Sequence, residues 1–218
     1  FETQFSDDEF VSNPYFVVNQ LVNDIGRKRF TTSTTLKYNF TKWLYALGRL
    51  GYDVDNQRSL SVTPWGTAYS RDRKGGLNNL GKSEGFELNV DGLIGATHKL
   101  TDDINLDAAI GANLRKNQFE AVGVSGGPFI LPYLYSPSNV TNIGRSYGFA
   151  KSEVHSAYYT LDFSYKNFLT LGTTGRYDAY STLPKDNNTI FVPSVSASFI
   201  FSELTKINNL NFGKIRAS

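Results

Sequence analysis

Every second residue from Phe30 falls on one face: Phe30, Thr32, Thr34, Leu36, Tyr38 and Phe40. The residues between them, Arg29, Thr31, Ser33, Thr35, Lys37 and Asn39, fall on the other. After Thr41 and Lys42 the alternation resumes with Leu44, Ala46, Gly48, Leu50, Tyr52 and Val54. A period of two is the signature of a strand with unlike faces. Residues 28–40 and 43–55 are therefore expected to be long strands joined by a very short turn. The same period marks strands over 85–98, 104–116, 153–165, 168–179 and 190–202. In the last of these, Ser194, Ser196 and Ser198 alternate with Val195, Ala197 and Phe199. The sequence NFGKIRAS then begins an eighth strand.

The connections alternate in length. Thr101-Asp102-Asp103 and Lys166-Asn167 read as further short turns. Residues 56–84 and 117–151 read as long loops rich in glycine and polar residues, and 1–27 as another loop. Short turns at one end and long loops at the other are the habit of outer-membrane barrels. Tyr38, Phe40, Trp43 and Tyr45 flank the first short turn, and Phe163, Tyr165 and Phe168 the third, as in an interfacial aromatic girdle. The second turn has no aromatic beside it. Periodicity alone leaves the alternative of a lipocalin-like barrel, whose apolar face points inward. Loop asymmetry and turn aromatics favour lipid against the apolar face and water against the polar one. Leu44, Leu50, Leu88, Ile110, Leu161 and Leu171 are then expected to face out. Arg49, Asp91, Asp107, Arg176 and Asp178 are expected to face the lumen.

Composition agrees. A hydrophobic content of 40% and a mean hydropathy of -0.32 leave no apolar run long enough for a membrane-spanning helix, so only a β-barrel would let this chain span a bilayer. The 16 Phe, 13 Tyr and 19 Gly suit strands and turns. A net charge of +2 gives no reason to expect nucleic acid. The absence of cysteine removes disulfides and thiolate metal sites. The absence of methionine suggests a processed chain or a piece of a longer one.

Candidate chemistry is sparse. No recognisable catalytic set is present, so no enzymatic activity and no cofactor are expected. His98 and His155 fall near opposite ends of the expected wall, which argues against a shared metal. Asp53-Val54-Asp55-Asn56 lacks the glycine and distal glutamate of a calcium loop. GVSGGP does not follow a buried strand and open a helix, so it is a poor phosphate loop. Arg49 with Asp53, and Arg176 with Asp178, recur two to four positions apart on the polar face as a wall network of ion pairs. Trp65, Tyr69, Tyr133, Tyr135, Tyr147 and Phe149 in the long loops suit loop packing, lid contact or substrate stacking.

NPYFVVNQ at 13–20, followed by RKRFTTSTTLKYNFTKWLYALGRLGYD, resembles the barrel of SusC/RagA-type TonB-dependent transporters of Bacteroidetes outer membranes. SYKNFLTLGTTGRYDAYSTLP at 164–184, VPSVSASFIFSEL at 192–204 and FGKIRAS are similar to later segments of the same family. The resemblance implies an all-β, antiparallel, plugged barrel of about 22 strands. The chain would supply about a third of its strands and not its plug. It further implies import of an oligosaccharide or oligopeptide, a SusD-like surface lipoprotein as lid, and a TonB complex acting through the plug. Contact of Arg49, Asp53, Arg176 and Asp178 with the plug follows from it, as does contact of the loop aromatics with the lid. The segment alone is expected neither to close nor to transport. The rival readings are a small structural or adhesive outer-membrane barrel and a soluble ligand-binding barrel.

Overall fold

The computed structural model describes residues 1–8, 10–166, 168–204 and 211–218. After a short helix, α1 (Pro14–Gln20), come eight strands: β1 (Val22–Asn39), β2 (Leu44–Thr63), β3 (Gly76–Lys99), β4 (Ile104–Phe129), β5 (Val140–Tyr165), β6 (Leu169–Tyr180), β7 (Thr189–Phe199) and β8 (Ile215–Ala217). They form one antiparallel sheet in sequence order, with β1 and β8 at its ends. Leu161 lies opposite Thr173, and Thr173 opposite Val195, so the apolar sets of neighbouring strands share a face.

The first two short turns use the same chemistry. In 40–43, Thr41 Oγ1 accepts hydrogen bonds from the amides of Trp43 at 3.3 Å and Leu44 at 3.0 Å. In 100–103, Thr101 Oγ1 accepts from Asp103 at 3.3 Å and Ile104 at 3.1 Å. A threonine hydroxyl thus occupies the amides that a tight reversal exposes. Tyr38 packs edge-on to Phe40, and Phe168 to both Tyr165 and Phe199, beside the first and third turns. Trp43 leans onto His98, which places an aromatic beside the second turn as well. Asn167 of the third turn lies outside the described residues.

The strands outrun the sequence expectation. Residues 56–63, 76–84, 117–129 and 140–151 were expected to be loop and are strand, leaving connections of only 64–75 and 130–139. The physical reason is that polar residues interrupt the apolar set in these arms while the ladder continues, and the apolar residues that remain, Leu60, Val62, Leu77, Leu80 and Phe129, gather in one local core. Polar side chains pair these arms, as Asn79 with Ser59 at 2.6 Å and Asn78 with Thr63 at 3.0 Å. Their Asn, Ser and Gly content mimics that of loops. Residues 1–27 are likewise not a plain loop. Asn13 caps α1 by accepting from the Tyr15 amide at 2.9 Å, with Pro14 opening the helix. Glu2 is buried, taking the amides of Asn13 at 2.6 Å and Ala68 at 2.8 Å.

The chain divides into two compact units. The first comprises 1–30, 53–86 and 118–151. It holds a hydrophobic core of Val62, Leu77 and Phe129, flanked by Leu60, Trp65, Leu80 and Tyr135. The second comprises 31–52, 87–117 and 152–218. Among its described residues no large hydrophobic side chain is buried. Many of its apolar side chains instead stand uncovered, with Leu36 72%, Ile110 66% and Val195 71% exposed. A soluble sheet buries such a face under a second layer.

Candidate functional site

The polar face of the second unit is built by alternation. Arg49 on β2 donates from Nε at 3.0 Å and Nη2 at 2.7 Å to Asp91 Oδ1 on β3. Tyr158 on β5 donates its hydroxyl to Asp91 Oδ2 at 2.8 Å. To reach β3 from β5 the tyrosine must cross β4, and it does so over Gly111. A Cβ there would stand 2.8 Å from the ring's Cε2 and closer still to Cζ and the hydroxyl. Tyr45 lies over Gly95 in the same manner, and Lys37 Nζ sits 4.3 Å from the Tyr45 ring centre. Paired glycines and tyrosines let rings lie flat on a sheet that branched neighbours would lift.

A second network lies further along the face. Arg176 donates from Nε to Asp178 Oδ1 and from Nη2 to Ser156 Oγ, both at 2.8 Å. Ser156 lies opposite Asp178, and both are buried beneath the guanidinium. Asn113 donates to Asn89 at 2.7 Å. A polar pocket of about 330 Å³ opens among Ser33, Thr35, Arg49, Asn89, Asp91 and Asn113. The opposite face carries an apolar groove of about 900 Å³ with Ala46, Gly92, Ile94, Ile110, Ala157 and Tyr177 among its lining residues.

In the first unit, Arg29 Nε donates to both oxygens of Asp53, at 2.9 and 3.1 Å, and Arg27 to Asp55 at 2.6 Å. The expected pairing of Arg49 with Asp53 is therefore corrected. Arg49 takes Asp91 and Asp53 takes Arg29, whereas Arg176 and Asp178 do pair. Four positions along a strand span about 13 Å, while neighbours across a ladder stand about 5 Å apart. Cross-strand partners win by distance.

The loop aromatics separate into two groups. Trp65 and Tyr135 pack against the first unit's core, with the Tyr135 and Phe129 ring centres 5.7 Å apart. Burial pushes the Tyr135 hydroxyl above the ordinary phenol value. Tyr69 and Tyr133 are exposed on the connections. Tyr147 and Phe149 are exposed too, but on β5 rather than in a loop. His98 meets Trp43, and His155 lies 3.7 Å from Glu153. Tyr158 and Glu2 each hold a network and were not singled out from sequence. The only sequence signal for Tyr158 is that it stands beside Tyr159 and so breaks the apolar/polar alternation of β5.

An open, two-faced antiparallel sheet with ion pairs on one side and bare apolar side chains on the other is the wall of a β-barrel. Solved structures agree. The chain is similar to "Structure of the RagAB peptide transporter", with a TM-score of 0.85 and 15% identity over 94% of its length. The same importer in its closed-closed and open-open states gives TM-scores of 0.84 and 0.83 at 15% identity. In each case the chain spans 23% of the other chain's length. The fold is thus that of a section of the β-barrel in those structures, in agreement with the barrel that the sequence resemblance implied. No protein-family model matches the chain, and no curated protein matches it.

Proposed function

We propose that the chain is part of the barrel wall of an outer-membrane importer of the SusC/RagA type. In this reading a SusD-like lipoprotein lies over the hairpins of the first unit, and a TonB complex opens the lumen by pulling on a plug. The cargo is an oligopeptide or an oligosaccharide, and the likeness to a peptide importer favours the peptide. The observation that carries the reading is the uncovered apolar face of the second unit, which suits lipid, backed by a paired polar face that suits a wet lumen. The wall breaks no bond in the cargo.

Arg49, Asp53, Arg176 and Asp178 then solvate the lumen and contact the plug. Because each arginine named here already holds a carboxylate, the wall offers hydrogen bonds rather than a strong field of one sign. Tyr69, Tyr133, Tyr147 and Phe149 are left to meet the lid or the cargo. The test is uptake by the native host. Deleting the gene encoding the full polypeptide should abolish TonB-dependent uptake of labelled oligopeptides and remove a detergent-extractable outer-membrane band. Unchanged uptake of both peptides and oligosaccharides would overturn the proposal, as would recovery of the full polypeptide in the soluble fraction.

A further inference from the structure

The apolar groove of the second unit ends in charge. On one face of β5, Leu161, Tyr159 and Ala157 are followed by His155 and Glu153. Opposite them on β6 stand Thr173, Gly175, Tyr177 and, at His155, Ala179. The groove of about 900 Å³ continues past Gly92, Ala112, Ala157 and Tyr177 into a recess of about 550 Å³ that reaches His155. Gly48 and Gly92 keep it open, since a Cβ at either would meet nothing within 4 Å.

At the mouth, Glu153 lies 3.5 Å from Lys116 Nζ and 3.7 Å from His155 Nε2. Both separations exceed the usual length of a charge-assisted hydrogen bond, about 2.7–2.9 Å. Arg49 and Arg176 hold their carboxylates on the polar face at 2.7 and 2.8 Å. Lys116 and His155 are held more loosely and can turn to another anion. The length of the groove fits one lipid chain. Leu161 and His155 are six positions apart, about 20 Å of strand. At a barrel tilt of about 40° this covers about 15 Å of depth, half of a hydrocarbon core of about 30 Å.

We propose that the groove seats an acyl chain of a phosphorylated glycolipid of the outer leaflet, with Lys116 and His155 taking its phosphate at the mouth. The proposal rests on the membrane-wall reading above, which sets the groove end remote from the short turns in that leaflet. The rest of a longer chain does not compete for this place. Further strands would join the sheet at its edges, β1 and β8, and leave its outer face bare. A second copy fits less well than lipid, because a two-fold contact sets recess against recess and leaves a void.

The test measures lipid retained by the detergent-solubilised full-length protein, read by native mass spectrometry. The probes are lipid A, dephosphorylated lipid A and phosphatidylglycerol. The wild type should hold lipid A about tenfold more tightly than either of the others. Gly92→Leu fills the groove without a clash and should weaken both forms of lipid A about tenfold. Lys116→Gln should weaken only the phosphorylated form, again about tenfold, and Lys116→Arg should restore it. Heat-modifiability on gels should stay that of the wild type in all three variants. Wild-type retention in Gly92→Leu and Lys116→Gln would overturn the site. Phosphatidylglycerol held as tightly as lipid A would overturn the glycolipid as its occupant. A dimer that Gly92→Leu dissociates would overturn the lipid in favour of a second copy. Recovery of the full polypeptide in the soluble fraction would overturn the membrane reading and the lipid site with it.

Discussion

Replacing Gly111 with alanine tests whether the polar face is held by a ring lying flat across β4. The new methyl group would occupy space filled by the Tyr158 ring, so the ring must lift. Lifting breaks the 2.8 Å bond to Asp91 while leaving Arg49 on the other carboxylate oxygen. A hydrogen bond to a charged group contributes about 1.5–3 kcal/mol. The Asp91 side chain is 12% exposed but its Arg49 partner is 54% exposed, so the lower end applies, about 1–1.5 kcal/mol. With Tyr158 already replaced by alanine, the same Gly111→Ala change meets no ring. It should then be neutral or stabilise by about 0.5 kcal/mol, because alanine loses less backbone freedom than glycine. The cost of the change therefore vanishes or reverses between the two backgrounds, a coupling of about 1–2 kcal/mol. The assay is the urea midpoint for loss of the heat-modifiable band in the full-length protein, across the four members of the cycle. Equal destabilisation by Gly111→Ala with and without Tyr158 would refute the flat-ring account.

Other consequences can be checked in the same protein. Phe129→Ala empties the fully buried centre of the first unit's core and should cost about 3–5 kcal/mol. It would be read as faster protease cleavage within 64–75 and 130–139, with strand β6 still protected. The raised pKa of the Tyr135 hydroxyl favours ionisation of the unfolded form first. Its stabilising effect is therefore full below the ordinary phenol pKa and is lost as pH rises through the folded value. Protease resistance of the hairpins should fall above pH 10 in the wild type and fall less in Tyr135→Phe, measured by limited proteolysis between pH 8 and 11.

Legibility followed the solvent on each side of the sheet. Between Phe30 and Val54, or Phe86 and Ala112, one face is apolar, and the period of two fixes both the strand and its facing. Hence Arg49, Asp91, Arg176 and Asp178 share the face that sequence alone assigned to them. Beyond Asp55 and Asn117, Asn, Ser and Gly interrupt the apolar set, and the signal that separates strand from loop weakens although the ladder continues. Partners across strands were not legible either. Arg49 has Asp53 on its own strand, but its bonded carboxylate, Asp91, is 42 residues away in sequence. The bridge by Tyr158 depends on the missing side chain at Gly111, a relation between three strands that no single-strand pattern carries. Asn139 gave the same difficulty, since it reads as a polar loop residue until its side-chain hydrogen bonds to the backbone of Leu131 and Leu134 are seen.

The central claim is that alternate residues of one strand meet lipid and water. Because this segment contains no cysteine, single cysteines placed along β6 and β7 report each position separately. In native outer membranes, cysteines at Thr170, Thr174, Ser194 and Ser196 should react with a water-soluble maleimide. Those at Leu171, Thr173, Val195 and Ala197 should resist it and, when spin-labelled, should collide with oxygen rather than with a water-soluble nickel chelate. That two-residue period is the predicted result. Uniform reactivity along both strands, or reaction at Leu171 and Val195 with protection at Thr170 and Ser194, would contradict the account.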